Sequence, residues 1–412
     1  MAMFSRRAFL KSAAVAPAFL AGYHATAAPL KGKVKIRDVR TMVFEGPRTY
    51  TLVRIDSDAG PYGFAEAYGS PGIGVKEQVL ALKQFLVGKD PLEIDALVVG
   101  MGRHSDGSAH SFYRGLSGIE MALWDLAGKI LGAPVTTLLG GKFRNKVRVY
   151  DHSAPRNMLD KASCRDWAAK VKADASGFTC HKFSFPHTDP KTDPGRDLSN
   201  RLLSAAELRN IRQGYENVRE AIGWDHDIMV HCHWEYDLRT SIDLAAAVAG
   251  IKPVWLEDPL PVAYTESWRR LTAAAEVPIC TGENWMRRAE AVPFVMNHGC
   301  DILHPDLRNS GGFLETKRMA DLADVFFLPM ANHNTGSVVN TLASIQWGAA
   351  IRDYLACETV IGKRDWMDDV IQHEGLVVKN GFIELPEKPG LGIELNPDVV
   401  RAHLAPGEKW WG

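Results

Sequence analysis

The sequence lacks the marks of several large protein classes. It has no block of clustered Lys or Arg, and its 48 basic and 49 acidic residues leave a net charge of −1. That argues against nucleic acid as a partner. Cysteine is scarce: Cys164, Cys180, Cys232, Cys280, Cys300 and Cys357 are the only six in 412 residues. None is in a CxxC or zinc spacing, and most lie in apolar runs, so buried free thiols are expected. No apolar run reaches the ~20 residues needed to span a bilayer. Short-period repeats and low-complexity tracts are missing too. What remains is an ordinary globular composition, 46% hydrophobic and 24% charged, long enough for two domains.

Residues 1–27 read as an export leader. SRRAFLK is a basic start, SAAVAPAFLAG a short apolar stretch, and Ala25-Thr26-Ala27 an A-x-A cleavage site. Arg6-Arg7 resembles a twin-arginine signal, which carries folded proteins and predicts a periplasmic location. From Val34 to Ala67 the pattern alternates as in strands, with a hairpin at Gly60-Pro61. KEQVLALKQFLVGKDP has helical spacing, as does LSGIEMALWDLAGKILGAP, where Ser117 and Glu120 have the spacing of a capping box. These elements predict an α+β domain over 31–140, ending near Gly140-Gly141.

The rest is organised around a series of acid and imidazole side chains: Lys182, His231 and His233, Glu257, Glu283, Asp306, His333, Glu358. From His231 onward the steps are roughly 23 to 27 residues, about one strand–loop–helix unit of a parallel barrel. Each follows a short apolar or β-branched run, so the series should meet at the C-terminal face of a barrel over 141–375, starting at VRVYDHS. The Pro-, Asp- and Ser-rich stretch from Phe185 to Glu207 reads as a lid or specificity loop, and 376–412 as a tail returning to the first domain.

His231, Glu257 and Glu283 on three consecutive strand ends can hold a divalent cation; the alternative is helix capping or ion pairing. Asp306 and His333 on neighbouring ends suit a carboxylate-oriented imidazole base. His231 and His233, two apart, point the same way, and so do Lys182 and Ser184. His233 could equally be a second metal ligand or a rim histidine, and Lys182 only a salt-bridge partner for a barrel carboxylate. One reaction uses all these parts: proton abstraction beside a carboxylate, with the enediolate charge stabilised by a divalent ion and a lysine.

With these residues in view, the chain resembles the enolase superfamily, in its mandelate racemase group. It is most similar there to acid-sugar dehydratases of the galactonate and mannonate type. SGIEMALWDLAGKILGAPVTTLLGG, WLEDPLP, PICTGEN, DILHPDLRNSGG and ANHNTGS follow the family's order and spacing over nearly all of the chain after the leader. The resemblance implies a modified TIM-type (β/α)7β barrel, with an α+β capping domain formed by the N-terminal region and the C-terminal tail. It implies Glu257 and Glu283 as metal ligands, Asp306–His333 as general base, and His233 as the acid expelling a 3-hydroxyl. Glu358 and Lys182 would contact the substrate carboxylate or enediolate, with Trp234 and Trp366 at the rim. Mg²⁺, a small-molecule acid sugar and an even-numbered homo-oligomer are implied as well.

Three departures shape the expectation. His231 stands where the family usually has Asp or Glu, which favours Mn²⁺, Fe²⁺ or Zn²⁺ over Mg²⁺. Lys182-Phe183-Ser184 lacks the second lysine of a two-base racemase, which favours dehydration. Asn332 also replaces the proline expected before the histidine. The alternatives are a cycloisomerase or epimerase acting through the same enediolate, and a degenerate barrel that only binds a sugar acid.

Overall fold

In the computed structural model, which describes residues 27–69, 72–103, 110–184, 200–360 and 366–411, the alternating stretch after Lys35 forms an antiparallel sheet. Its strands are β1 (Ile36–Glu45), β2 (Thr49–Ser57) and β3 (Tyr62–Ala67), in the order β1-β2-β3. Helices α1 (Val75–Leu82), α2 (Ile94–Gly102) and α3 (His110–Leu131) complete this lobe, and α3 lies across β3. That approach needs small residues: a Cβ on Gly63 would stand 2.2 Å from the Ala122 carbonyl oxygen, and one on Gly118 2.7 Å from the Ala67 Cβ.

The capping-box expectation for Ser117 and Glu120 is corrected here. Helix α3 begins at His110, so both residues lie in its interior. Ser117 Oγ donates to the Tyr113 carbonyl at 2.6 Å and accepts from Gly311 N–H at 2.9 Å. Glu120 accepts from the N–H groups of Phe313 and Leu314 at 2.8 and 2.9 Å. The pair therefore caps a barrel helix, not its own. The S-x-x-E spacing puts both side chains on one face of a helix, and that face meets the open N-terminus of another.

After α4 (Val135–Leu138) the chain enters eight parallel strands: β4 (Lys146–Tyr150), β5 (Cys180–Ser184), β6 (Asp227–His231), β7 (Leu256–Glu257), β8 (Ile279–Thr281), β9 (Ile302–Leu303), β10 (Met330–Asn332) and β11 (Tyr354–Glu358). Seven helices connect them among the described residues: α5 (Lys161–Ala173), α6 (Ala205–Ile222), α7 (Leu238–Val248), α8 (Glu266–Ala274), α9 (Arg288–Met296), α10 (Gly312–Val325) and α11 (Val338–Ala349). The sheet runs β4-β11-β10-β9-β8-β7-β6-β5. Its ends are joined where Lys182 N–H donates to the Asp151 carbonyl at 2.8 Å and Asp151 N–H to the Cys180 carbonyl at 3.2 Å. This is the (β/α)7β arrangement expected.

Strand β12 (Phe382–Glu384), inside the stretch read as a tail, pairs antiparallel with β4 of the barrel. Further on, Gly390 N–H donates to the Ala133 carbonyl, Ala405 N–H to the Val43 carbonyl, and helix α12 (Pro397–Ala402) precedes a bridge from Leu404 to Phe44. Of the Phe185–Glu207 stretch, 185–199 lie outside the described residues; Ser204 and Glu207 form the capping box of α6. The leader falls on residues 1–27, of which 1–26 are also outside. Among the described residues, all six cysteines are buried and free, and no helix is long and apolar enough to cross a membrane.

Candidate metal centre and acid–base site

The strand period of two builds the site in layers. Tyr150, Cys180, Met229, Trp255, Cys280, Ile302, Ala331 and Ala356 fill one layer, one residue from each strand or its flank. Two positions further along come His152, Lys182, His231, Glu257, His304, His333 and Glu358. The apolar layer closes the barrel as a floor, and the ionisable groups stand on it.

His231, Glu257 and Glu283 come together, each with a potential ligand atom within 4.8 Å of the others. His231 Nε2 is 3.5 Å from Glu257 Oε1 and 4.0 Å from Glu283 Oε2. His231 Nε2 and Glu283 Oε2 are buried without hydrogen-bond partners. Buried polar atoms are normally paired, so two unpaired atoms converging with a carboxylate fit a divalent cation. Burial, and then the Lys182 ammonium, pushes the His231 pKa well down, so its imidazole is neutral and ready to ligate. Burial raises the Glu283 pKa, against the pull of His333 and Lys182.

Lys182 stands beside this triad. Its ammonium is 2.7 Å from Glu257 Oε1 and 3.0 Å from Glu358 Oε2, fully enclosed. Two of its three N–H bonds are engaged, which is the salt-bridge reading of this residue. Burial works against the charge on Glu257, but Lys182, His304 and His231 outweigh it and hold the carboxyl far below its usual range. Trp255 Nε1–H donates to Glu257 Oε2 at 2.7 Å and fixes the other oxygen.

Asp306 and His333 pair as expected, Nδ1 to Oδ2 at 2.8 Å, and His333 Nε2 faces Glu283 Oε2 at 3.5 Å. Burial disfavours the charged imidazole, but Glu283, Glu358 and Asp306 outweigh it and raise its pKa to about 9. Asn332, in place of the expected proline, bonds through its side chain to the Tyr354 hydroxyl and the His333 carbonyl. His233 lies just beyond β6, exposed, its ring centroid 4.1 Å from that of His231. Trp234 is edge-on to His233, with a left-handed φ of 58°.

Glu358 stands on the same floor. It is fully buried, and it accepts from Lys182, from the Tyr150 hydroxyl at 3.2 Å, from Asn334 N–H at 3.3 Å, and pairs with His152. Its oxygens are already engaged, and His152, with 30% of its side chain exposed, is the member of the pair that reaches solvent. Trp366 is also corrected. Its ring stacks on His403 at 3.6 Å and meets Phe44 edge-on, so it fastens the tail to β1 and does not line the rim.

Sequence reasoning missed His152 and His304. Both were readable by the period of two, His152 from Tyr150 and His304 from Asp306. His304 bonds Tyr150 at 2.7 Å and faces Glu257 at 3.6 Å. Arg308 and Glu66 were missed as well. Arg308 is bound to Asp306 at 2.9 Å and to Glu66, on β3, at 2.8 Å.

The chain is similar to known proteins over most of its length. Residues 34–140 match the family model "Mandelate racemase / muconate lactonizing enzyme, N-terminal domain", and 165–399 match "Enolase C-terminal domain-like". A D-xylonate dehydratase of Haloferax volcanii is 35% identical over 91% of this chain and 90% of its own. A D-galactarolactone cycloisomerase of Agrobacterium fabrum is 30% identical over 87% and 92%. A crystal structure of a mandelate racemase/muconate lactonizing enzyme-like protein from Rubrobacter xylanophilus superposes with a TM-score of 0.84 at 30% identity, covering 92% of this chain and 99% of that one. The two lobes, the layered barrel mouth and these matches make the chain a member of the mandelate racemase/muconate lactonizing enzyme family within the enolase superfamily.

Proposed function

We propose that the protein is a metal-dependent hydro-lyase that dehydrates an acid sugar of the aldonate type to a 2-keto-3-deoxy acid. The observation that carries this is the meeting, on one floor, of the His231–Glu257–Glu283 set, two of whose atoms have no hydrogen-bond partner, and a carboxylate-oriented imidazole, with a second imidazole, His233, at the mouth. Relatives named D-xylonate dehydratase and, at 29% identity, D-gluconate dehydratase of Thermoproteus tenax support it.

His231, Glu257 and Glu283 would hold the divalent ion, which lowers the energy of negative charge developing on the substrate carboxylate. In its neutral form, favoured when Glu283 gives its charge to the ion and not to the imidazole, His333, its Nδ1 pinned by Asp306, would take the proton from the α-carbon at Nε2. The remaining N–H of Lys182 is a donor for the developing enediolate. His233 gives its proton to the 3-hydroxyl, which leaves as water, and the resulting enol ketonises. Export by the twin-arginine route and an even-numbered homo-oligomer belong to the same proposal, the first on residues 1–27 and the second on the family resemblance.

A cycloisomerase is the second reading, supported by the D-galactarolactone relative. The test is a screen of D-xylonate, D-gluconate, D-galactonate and galactarolactone with Mg²⁺ and Mn²⁺ in parallel. A 2-keto acid from an aldonate supports dehydration. An isomeric product without water loss replaces it with the second reading, and no reaction of any kind, with no ion bound, leaves only a binding barrel.

A further inference from the structure

We propose that Arg308 is a positioning residue for the His333–Asp306 pair, and that Glu66 of the N-terminal lobe holds it in place; this rests on that pair being the base proposed above. Asp306 accepts four hydrogen bonds, and Arg308 makes three of them. Its backbone N–H reaches Oδ1 at 2.8 Å, Nε reaches Oδ1 at 3.2 Å, and Nη2 reaches Oδ2 at 2.9 Å. His333 Nδ1 supplies the fourth, at 2.8 Å to Oδ2.

The terminal torsion of an aspartate is soft and roughly two-fold. With one donor, the carboxylate could swing and carry the imidazole plane with it. With a planar guanidinium on both oxygens it has one orientation. The imidazole that shares Oδ2 inherits that orientation, and so does the direction of Nε2.

Arg308 is aimed from its far side. Its Nη1 donates to Glu66 Oε1 at 2.8 Å, and the other Glu66 oxygen accepts from Ser337 N–H at 2.9 Å and pairs with Ser337 Oγ at the start of α11. The Tyr68 ring lies over the guanidinium, 5.1 Å from its carbon. The fit leaves no room for a side chain at Gly336, where a Cβ would stand 2.6 Å from Glu66 Oε1 and 2.8 Å from Arg308 Nη1. All three charged groups are buried. Stability alone does not call for such a chain, because well-packed apolar residues commonly serve a buried ion cluster's place as well or better. The planar fork, matched to a carboxylate, is what an aiming role requires.

The test compares Arg308→Met, Arg308→Lys and Glu66→Gln with His333→Asn as control. Each is assayed for exchange of the α-proton of D-xylonate, D-gluconate and D-galactonate in D₂O, for turnover, and for Mn²⁺ affinity. Each is also examined by nitrogen-15 histidine NMR. The Nδ1–H resonance of His333 is assigned by its loss in His333→Asn. In Arg308→Met the resonance should shift or vanish and kcat fall by about 10²-fold, the cost of a misaimed group, with KM and Mn²⁺ affinity little changed. Arg308→Lys, a point charge without the fork, should restore thermal stability more than rate. A folded Arg308→Met protein with wild-type resonance and rate would overturn the inference. If that variant does not fold, full rate in both Arg308→Lys and Glu66→Gln overturns it equally. Retained turnover in His333→Asn instead removes the base assignment, a separate outcome. The NMR arm reads the positioning even if none of the three acids reacts.

Discussion

His231 Nε2 and Glu283 Oε2 stand 4.0 Å apart, and neither has a hydrogen-bond partner. Two buried polar atoms so close, neither with a hydrogen bond, are well accommodated by a cation between them. Chelation should therefore lower the melting temperature, and Mn²⁺ should raise it. Exchanging His231→Asp adds a carboxylate to the set and favours a harder ion. The preference for Mn²⁺ over Mg²⁺, measured by calorimetric titration of both, should fall by about tenfold, equivalent to ~1.4 kcal/mol. An unchanged ratio would show that this position does not touch the ion.

Lys182 is the positive charge between Glu257 and Glu358, with all three side chains fully buried. Removing one partner of such a cluster typically costs ~3–5 kcal/mol. Lys182→Met should lose stability of that order without metal. A divalent ion supplies part of the missing charge, so the metal-induced rise in melting temperature should be larger in the variant than in the wild type. Equal rises would place the ion away from Glu257.

His333→Asn should abolish turnover while leaving the fold intact, a loss of at least ~10²–10⁴-fold for a general base. Circular dichroism and Mn²⁺ titration check that fold and ion site survive. A variant with full rate means the base lies elsewhere.

Burial pushes the Asp306 carboxyl up, but Arg308 and His333 outweigh it and hold its pKa at about 2, below the usual carboxylate range. A depressed carboxyl stabilises the fold above its unfolded pKa and loses that contribution as pH falls through the folded one. That depression is worth roughly 2 kcal/mol at neutral pH. Urea unfolding between pH 5 and pH 2 should show a shallower loss of stability in Asp306→Asn than in the wild type. Parallel curves would mean that the carboxyl titrates normally.

His152→Gln tests the exposed partner of Glu358. If His152 contacts the acid sugar, kcat/KM should fall by about tenfold or more, and Mn²⁺ affinity should not change, because the residue is outside the metal set. A wild-type kcat/KM would leave it as a partner of Glu358 alone.

The barrel was legible because its strands punctuate the sequence at even steps, each ending in an ionisable residue. The triad and the His333–Asp306 pair followed from that rhythm alone. Glu66 could not be found that way. Its contact with Arg308 spans 242 positions and two lobes, and no local period records a distance of that kind. His152 depends on barrel closure, which sets β4 beside β11. Ser117 and Glu120 show the opposite failure, a correct local spacing whose partner lay across the interface. Glu358 was found, but its partners were not, since they arrive from β4 and the loop after it, from β5 and from the loop after β10.

Glu120 and Ser117 finish a barrel helix that cannot finish itself. Gly311 and Gly312 offer α10 no side chain for its first N–H groups, and Gly312, at φ 85°, has no space for one, because a Cβ would lie 2.0 Å from Glu120 Oε2. Cut away from residues 31–140, the barrel would present a bare helix end inside what had been an interface. The two lobes should therefore melt as one, with a single heat-absorption peak in a calorimeter.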